Sequence, residues 1–337
     1  MKISDYSREI TLELVRVTEA ASLKASRWMG KGDKNAADQA AVDAMRGMLD
    51  LVDVQGTVVI GEGEKDHAPM LYIGEKVGGG GVKSAHVDIA VDPLDGTNLT
   101  ARGLPNAISV MAMGDEGSMK SFPSFYVDKI AVGPVARGSI DINDSVKNNL
   151  KRVAKAYGCK LQDLTAIILD RPRHENLMKQ VRETGARIKL ISDGDVAGAI
   201  ATVIEDSGVD ILFGIGGAPE AVLAAAALKC MGGDMQVRIW PRDEEEKKQI
   251  IERGYSEKEI QTVFDIEDLC HGDSIMFSAT GVTGGDFLQG VLYEGLTATT
   301  HSVVMRAKTK TVRYIRAVHH LDSKTVPSST KSTEVQI

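Results

Sequence analysis

The chain has 337 residues, 43% of them hydrophobic, with 34 glycines and a formal net charge of −7. That length suits about two domains, and the composition excludes a disordered or fibrous chain. The acidic balance argues against nucleic acid or an anionic membrane as the main partner, so a phosphorylated ligand would need metal ions or a few placed Arg and Lys. Three well-separated cysteines, Cys159, Cys230 and Cys270, form no paired-Cys metal motif and suit a reducing compartment. The N-terminal MKISDYSREITLELV is charged and periodic, without a signal-peptide core, and no apolar run is long enough to span a bilayer. The expectation is a cytoplasmic protein with no membrane partner.

In chain order, Ile10, Leu14, Val17, Ala21 and Trp28 recur at helical spacing and predict an amphipathic helix over residues 9–29, stopped at Gly30. A second helix is expected from Ala37 to Val52, with Val42, Met45 and Leu49 on its apolar face. Ahead of it, Asn35 followed three residues later by Asp38 reads first as an N-cap with a dipole-favoured acid, and only second as an acid available to a metal. The run Thr57 to Ile60 is a short strand that opens into Gly61-Glu62-Gly63-Glu64, where two acids follow a strand end. They are either solvated loop acids or groups held at a site by a close-approaching backbone.

The next strand carries the most chemistry. Val87, Ile89 and Val91 alternate with Asp88 and Ala90, a period-two pattern expected to stop at Asp92-Pro93. Asp95-Gly96 and Thr97 follow, so two carboxylates and a hydroxyl share one turn at the end of an apolar strand. Asp-Pro and Asp-Gly are ordinary turn dipeptides taken singly. Together they can aim oxygen donors at one point, as hard cations such as Mg²⁺ and Mn²⁺ require. AISVMAM (107–113) and KIAV (129–132) are predicted as further strands of the same sheet.

Beyond residue 150 strands and helices alternate, which implies α/β layers. TAIILD (165–170) leads to a helix near His174, ARIKLIS (186–192) to one after Asp195, and VDILFGIG (209–216) to the helix AVLAAAALKC. The boundaries expected are an N-terminal α/β domain over 1–150, a C-terminal α/β domain over 151–322 and a flexible tail over 323–337. RDEEEKKQIIERG (242–254) reads as a solvated helix. Asp170-Arg171-Pro172-Arg173-His174 puts two cations at a strand end, suited to a bidentate grip on phosphate or to an exposed turn. Ser192-Asp193-Gly194-Asp195 is a turn whose acids can accept from sugar hydroxyls. GIGGAPE (214–220) resembles a dinucleotide loop, but Pro219 stands where its third glycine belongs. Glycine amides at a helix start suit a phosphate or sugar oxygen, and Glu220 suits the helix dipole. His319 and His320 read as packing or surface residues. With no nucleophile elbow, Walker loop or cysteine nucleophile, metal-assisted hydrolysis is the simplest chemistry available.

The spacing D-P-x-D-G-T resembles the metal-binding signature of the lithium-sensitive phosphatase superfamily. Taken with GDKNAAD, VVIGEGE, APMLYIGEKVG, DRPRH, SDGDV and GIGGAPE, the chain resembles a class II fructose-1,6-bisphosphatase of the bacterial type from about Val15 to Leu321. The resemblance implies a layered α/β/α/β/α sugar-phosphatase fold of the inositol monophosphatase/fructose-1,6-bisphosphatase kind. It implies Mn²⁺ or Mg²⁺ held by Asp38, Glu62, Asp92, Asp95 and Glu220, with Thr97, Asp38 and Glu62 catalytic. Substrate contacts are implied at Asp95, Gly96, Thr97, Tyr126, Arg171, Pro172, Arg173, Asp193, Gly194, Asp195 and Gly217. Bacterial relatives commonly carry Glu where this chain has Asp95, one methylene shorter, which bears on ligand distance and metal preference.

The implied reaction removes the 1-phosphate of D-fructose 1,6-bisphosphate in gluconeogenesis, in a homo-oligomer. Alternatives are a dual fructose-1,6- and sedoheptulose-1,7-bisphosphatase, an inositol-phosphate phosphatase, and a catalytically silent sugar-phosphate sensor.

Overall fold

A computed structural model describes residues 7–63, 70–122, 125–323, 325–326 and 335–336. Glu64 and most of the tail over 323–337 lie outside these residues. The chain divides into two compact units, one of residues 1–121 with 272–337 and one of residues 122–271.

The first unit opens with helices α1 (Ser7–Ser26) and α2 (Lys34–Leu49). Strands β1 (Val54–Ile60), β2 (Lys76–Val77) and β3 (Ala85–Asp95), helix α3 (Thr97–Arg102) and strand β4 (Ile108–Asp115) follow. The second unit comprises β5 (Tyr126–Val132), α4 (Val146–Tyr157), β6 (Thr165–Leu169), α5 (Glu175–Glu183), β7 (Arg187–Ile191), α6 (Asp195–Ala201), β8 (Ile211–Gly217), α7 (Ala218–Met231), β9 (Asp234–Ile239), α8 (Glu244–Glu252), α9 (Glu257–Gln261), β10 (Val263–Asp265) and α10 (Ile266–Leu269). The chain then returns to the first unit as β11 (Met276–Gly281), β12 (Leu292–Glu294), β13 (Thr297–Arg306) and β14 (Thr311–His320).

The first sheet runs β12-β13-β11-β4-β3-β1-β2, with β14 paired to β13. Its β1 and β3 are parallel, whereas β3–β4, β4–β11 and β11–β13 are antiparallel. This return is why the chain does not divide at residue 150. β11 pairs directly with β4, Met276 opposite Met113, so the last strands complete a sheet begun before residue 121. Helix α1 is buried on nearly every side, packed on α2 and on strands of this sheet. Its Thr18 hydroxyl bonds those of Ser278 (3.1 Å) and Thr280 (2.8 Å), part of a buried polar network in which Thr280 also bonds Ser302 and Ser22. Leu14, Val17, Met45, Leu49, Val58 and Ile89 belong to the core cluster around it.

In the second unit the sheet order is β10-β9-β5-β8-β6-β7. KIAV therefore belongs to β5 in this second sheet, between β9 and β8, and not to the sheet of the acidic turn. β6 is parallel to both β7 and β8, while β5 and β9 run antiparallel to their neighbours. Among the described residues no helix is long and apolar enough to cross a membrane. All three cysteines are free, Cys230 and Cys270 buried.

Candidate active site

The acidic turn is built on two parallel strands of the first unit. β1 and β3 are in register at Ile60 and Ala90. Glu62 follows the end of β1 by two residues, its N–H bonded to the Leu71 carbonyl, while Asp92 lies on β3 two residues past Ala90. β3 does not stop at Asp92-Pro93, as its sequence predicts. It continues to Asp95, and its register with β4 shifts between Asp92, opposite Val110, and Asp95, opposite Ile108. That bulge gives Pro93 a place where its missing N–H costs no ladder bond. It also turns Asp95 inward, to 5% exposure. Asp92 Oδ1 accepts from the Leu94 amide at 3.0 Å, which holds the bulge.

Gly96, at φ 96°, is the N-cap of α3, so Thr97 opens that helix. The loop before α2 is tied to α3 by Gly30 N–H donating to Thr100 O (2.9 Å) and Gly32 N–H to Ala101 O (2.8 Å). The cap of α2 is Asp33, whose carboxylate accepts from the Ala36 amide at 2.9 Å, and not Asn35. Asp38 is thereby released from any capping task. It stands half-buried inside α2, and burial pushes its carboxyl above the ordinary range. Among the described residues no three His, Cys, Asp or Glu side chains converge as a ready-made metal group, and no hydrogen bond links Asp38 to Thr97.

The second unit assembles its own cluster. Gly217 ends β8 and caps α7, Pro219 lies in the first turn, and Glu220 follows at the third helical position. Lys129 of β5 is 2% exposed and its Nζ lies 2.5 Å from Oδ2 of Asp195, itself 7% exposed at the start of α6. Glu220 Oε2 is buried with no hydrogen-bond partner. Burial pushes the Glu220 carboxyl up and Asp195 adds to that, while Lys129 opposes both. A Cβ on Gly217 would fall 1.8 Å from Glu220 Oε2, and one on Gly216 1.9 Å from Asp195 Oδ2. These glycines are there because the carboxylates lie where a side chain would begin. Asp195, expected to accept from sugar hydroxyls, also pairs with Lys129.

Around the basic turn, Arg173 donates to the Ile215 carbonyl at 2.7 and 3.1 Å, and its guanidinium lies 4.8 Å from the Tyr126 ring centre. Arg171 precedes the short turn Pro172–His174 and stands 3.8 Å from Asp193. His174 is fully buried: Nδ1 bonds the Leu169 carbonyl and Nε2 accepts from the Ile215 amide, each at 2.7 Å. That pair of backbone contacts sets the neutral tautomer with the proton on Nδ1. Gly194, at φ 78°, leads Asp193 into α6.

Sequence reasoning missed two residues here. Lys129 sits in a strand whose local pattern gives no hint of a buried cation. Arg242, inside the stretch read as a solvated helix, extends over Tyr126 at 5.8 Å while bonding Glu246 at 2.9 Å. His319 bonds the Thr300 hydroxyl at 2.8 Å in the core of the first unit, a packing role.

Two mixed sheets with helices, acids at the ends of parallel strands β1 and β3, and arginines at a strand-end turn beside a tyrosine face are consistent with an α/β phosphatase. The chain belongs to the bacterial, glpX-encoded fructose-1,6-bisphosphatase family, which it matches over residues 8–319. A fructose-1,6-bisphosphatase class 2 of Haemophilus influenzae is 47% identical over 326 residues, spanning 94% of this chain and 97% of its own. Fructose-1,6-bisphosphatase 1 class 2 of Escherichia coli K12 is 47% identical over 327 residues, with the same coverage.

Proposed function

We propose that this chain hydrolyses the 1-phosphate of D-fructose 1,6-bisphosphate, releasing fructose 6-phosphate and inorganic phosphate, as a metal-dependent enzyme of gluconeogenesis. What supports this reading beyond family membership is that the acids sit at the ends of two parallel strands, Glu62 after β1 and Asp92 with the buried Asp95 on the bulged end of β3. The donors are hard carboxylate oxygens with no Cys or His among them, which fits Mg²⁺ or Mn²⁺. Asp38, Glu62, Asp92 and Asp95 of the first unit and Glu220 of the second are the residues to hold such ions. Glu220, buried with an unpartnered oxygen, is chemically suited to a cation. Bound divalent ions supply polarisation of the phosphoryl oxygens and stabilise charge on the leaving alkoxide.

The chain's own groups do the rest. Thr97, at the N-terminus of α3, is the residue to orient the attacking water, with Asp38 the acid to take up its proton's charge once substrate and water are bound. Asp95, Gly96 and Thr97 hold one end of the substrate. Arg171, Pro172 and Arg173, with Tyr126, Asp193, Gly194, Asp195 and Gly217, serve the sugar and the phosphate that is not cleaved. The D-P-L-D-G-T turn supports membership of the lithium-sensitive superfamily and its sugar-phosphatase fold, in a cytoplasmic homo-oligomer.

Phosphate release from fructose 1,6-bisphosphate, fructose 1-phosphate, sedoheptulose 1,7-bisphosphate and inositol 1-phosphate, with Mg²⁺, Mn²⁺ or EDTA, tests the reading. The first substrate should lead, and chelator should abolish turnover. Full activity after exhaustive EDTA treatment, or preference for inositol 1-phosphate, would overturn it. Glu62→Gln and Asp92→Asn should each lose most activity while staying folded.

A further inference from the structure

Glu62 is anchored to the protein by its backbone. Its N–H donates to the Leu71 carbonyl at 3.0 Å, and the Ile73 N–H donates to the Gly63 carbonyl at 3.0 Å, so residues 62–63 are clamped to 71–73. The approach is close enough that a Cβ on Gly61 would fall 1.9 Å from Leu71 O. Leu71 itself is a non-glycine residue in the left-handed region, φ 55°, with a fully buried side chain. A bulky residue adopts that conformation only when its surroundings impose it.

Two contacts impose it. The Leu71 side chain belongs to the core cluster that includes Met45 of α2 and Val58 of β1, which fixes the residue from one side. Its N–H donates to Oε2 of Glu75, and Oε1 of Glu75 accepts from Nε of Arg46 at 2.6 Å. Arg46 and Glu75 are 17% and 11% exposed at their side chains, so this charged pair is partly withdrawn from water, where such bonds are strongest. Nη1 of Arg46 also reaches Asp50, 2.5 Å away and largely exposed. Arg46 lies two turns beyond Asp38 on α2, so one helix carries a proposed ligand and the support of another.

We infer that Arg46 and Glu75 are positioning residues for metal binding, holding Leu71 in its left-handed conformation so that its carbonyl fixes Glu62 at the end of β1. This rests on the reading of Glu62 as a metal-binding acid. Neither residue touches the metal or the substrate. Their contribution is to keep the carboxylate pre-aligned, so that ordering does not have to accompany binding. The chain Arg46–Glu75–Leu71–Glu62 also accounts for the glycine at 61 and for the unusual backbone at Leu71.

The test is Mn²⁺ binding to the full-length protein without substrate, followed by electron paramagnetic resonance of the free ion. Glu75→Gln keeps the shape but removes the charge. It should weaken Mn²⁺ binding at least tenfold, with near-wild-type kcat restored at saturating Mn²⁺. The double variant Glu62→Gln/Glu75→Gln should bind no worse than Glu62→Gln alone, because Glu75 acts through Glu62. Asp50→Asn, which removes only the exposed partner of Arg46, should bind as wild type. Should Glu75→Gln fail to fold, Arg46→Lys keeps the charge without the guanidinium fork and should give a smaller loss of affinity. Wild-type affinity in the folded Glu75→Gln protein, or in Arg46→Lys where that variant stands in, overturns the positioning role. So do strictly additive losses in the double variant. Unchanged Mn²⁺ binding in Glu62→Gln overturns the metal reading itself, and the two failures are thereby told apart.

Discussion

Lys129→Met removes one partner of the most buried ion pair described in the second unit. Lys129 is 2% exposed and Asp195 7%, with Nζ and Oδ2 2.5 Å apart. Methionine fills a similar apolar length, so the cavity contribution is small. What remains is electrostatic: the cation that paired with Asp195 and opposed the effect of burial on the neighbouring Glu220 carboxyl is gone. Breaking a buried pair from one side costs about 3–5 kcal/mol, against roughly 0–1 kcal/mol for an exposed one. The assay is urea unfolding in a Trp28→Phe background, which leaves Trp240 as the reporter; its amide bonds the Tyr126 carbonyl at the start of β5, 2.9 Å away. Adding Asp195→Asn should recover most of the lost stability, since a neutral amide leaves no uncompensated charge. A loss below about 1 kcal/mol in Lys129→Met, or a double variant no more stable than the single, would refute the reasoning.

Replacing Arg171 and Arg173 together by Ala should shrink the preference for fructose 1,6-bisphosphate over fructose 1-phosphate in kcat/KM; unchanged discrimination would make the basic turn structural. Thr97→Ala should lower kcat about a hundredfold, near 2.7 kcal/mol of transition-state stabilisation, while Thr97→Ser retains much of it. Normal kcat with raised KM in Thr97→Ala would assign the hydroxyl to phosphate binding instead. Burial depresses the folded pKa of His174 below the ordinary 6.5, outweighing the Leu169 carbonyl, which favours the charged ring. Its contribution to stability is therefore complete above that ordinary value and is lost as pH falls through the depressed one. Urea midpoints read at Trp240 should fall between pH 7.5 and 5 in wild type, and His174→Gln should flatten that slope. Equal slopes in the two proteins would remove His174 from the pH response.

Much of the candidate site is written locally. Val87 to Val91 alternates as a strand, the acids and Thr97 follow it, and the cationic turn after Leu169 lies where a strand end was expected. Periodicity and turn chemistry act over a few residues, so the sequence determined these features by itself. The resemblance to the family implies what spacing could not, a metal-binding role for Asp38. Three features were decided only by tertiary structure. Pro93 is carried through β3 because β4 accepts a bulge opposite it. The strand holding KIAV joins the second sheet because β8 and β9 flank it. The first unit closes with β11 and β13, more than a hundred residues after β4, because the pairing edge of β4 is satisfied only there. Lys129 shows the same limit at the scale of one side chain. A lysine in a strand reads as a solvent-facing charge, and only the carboxylates brought to it from α6 and α7 make its burial tolerable. Local sequence sets which way the chain turns; partners distant in sequence set which groups are withdrawn from water, and desolvation is what gives a charge its effect.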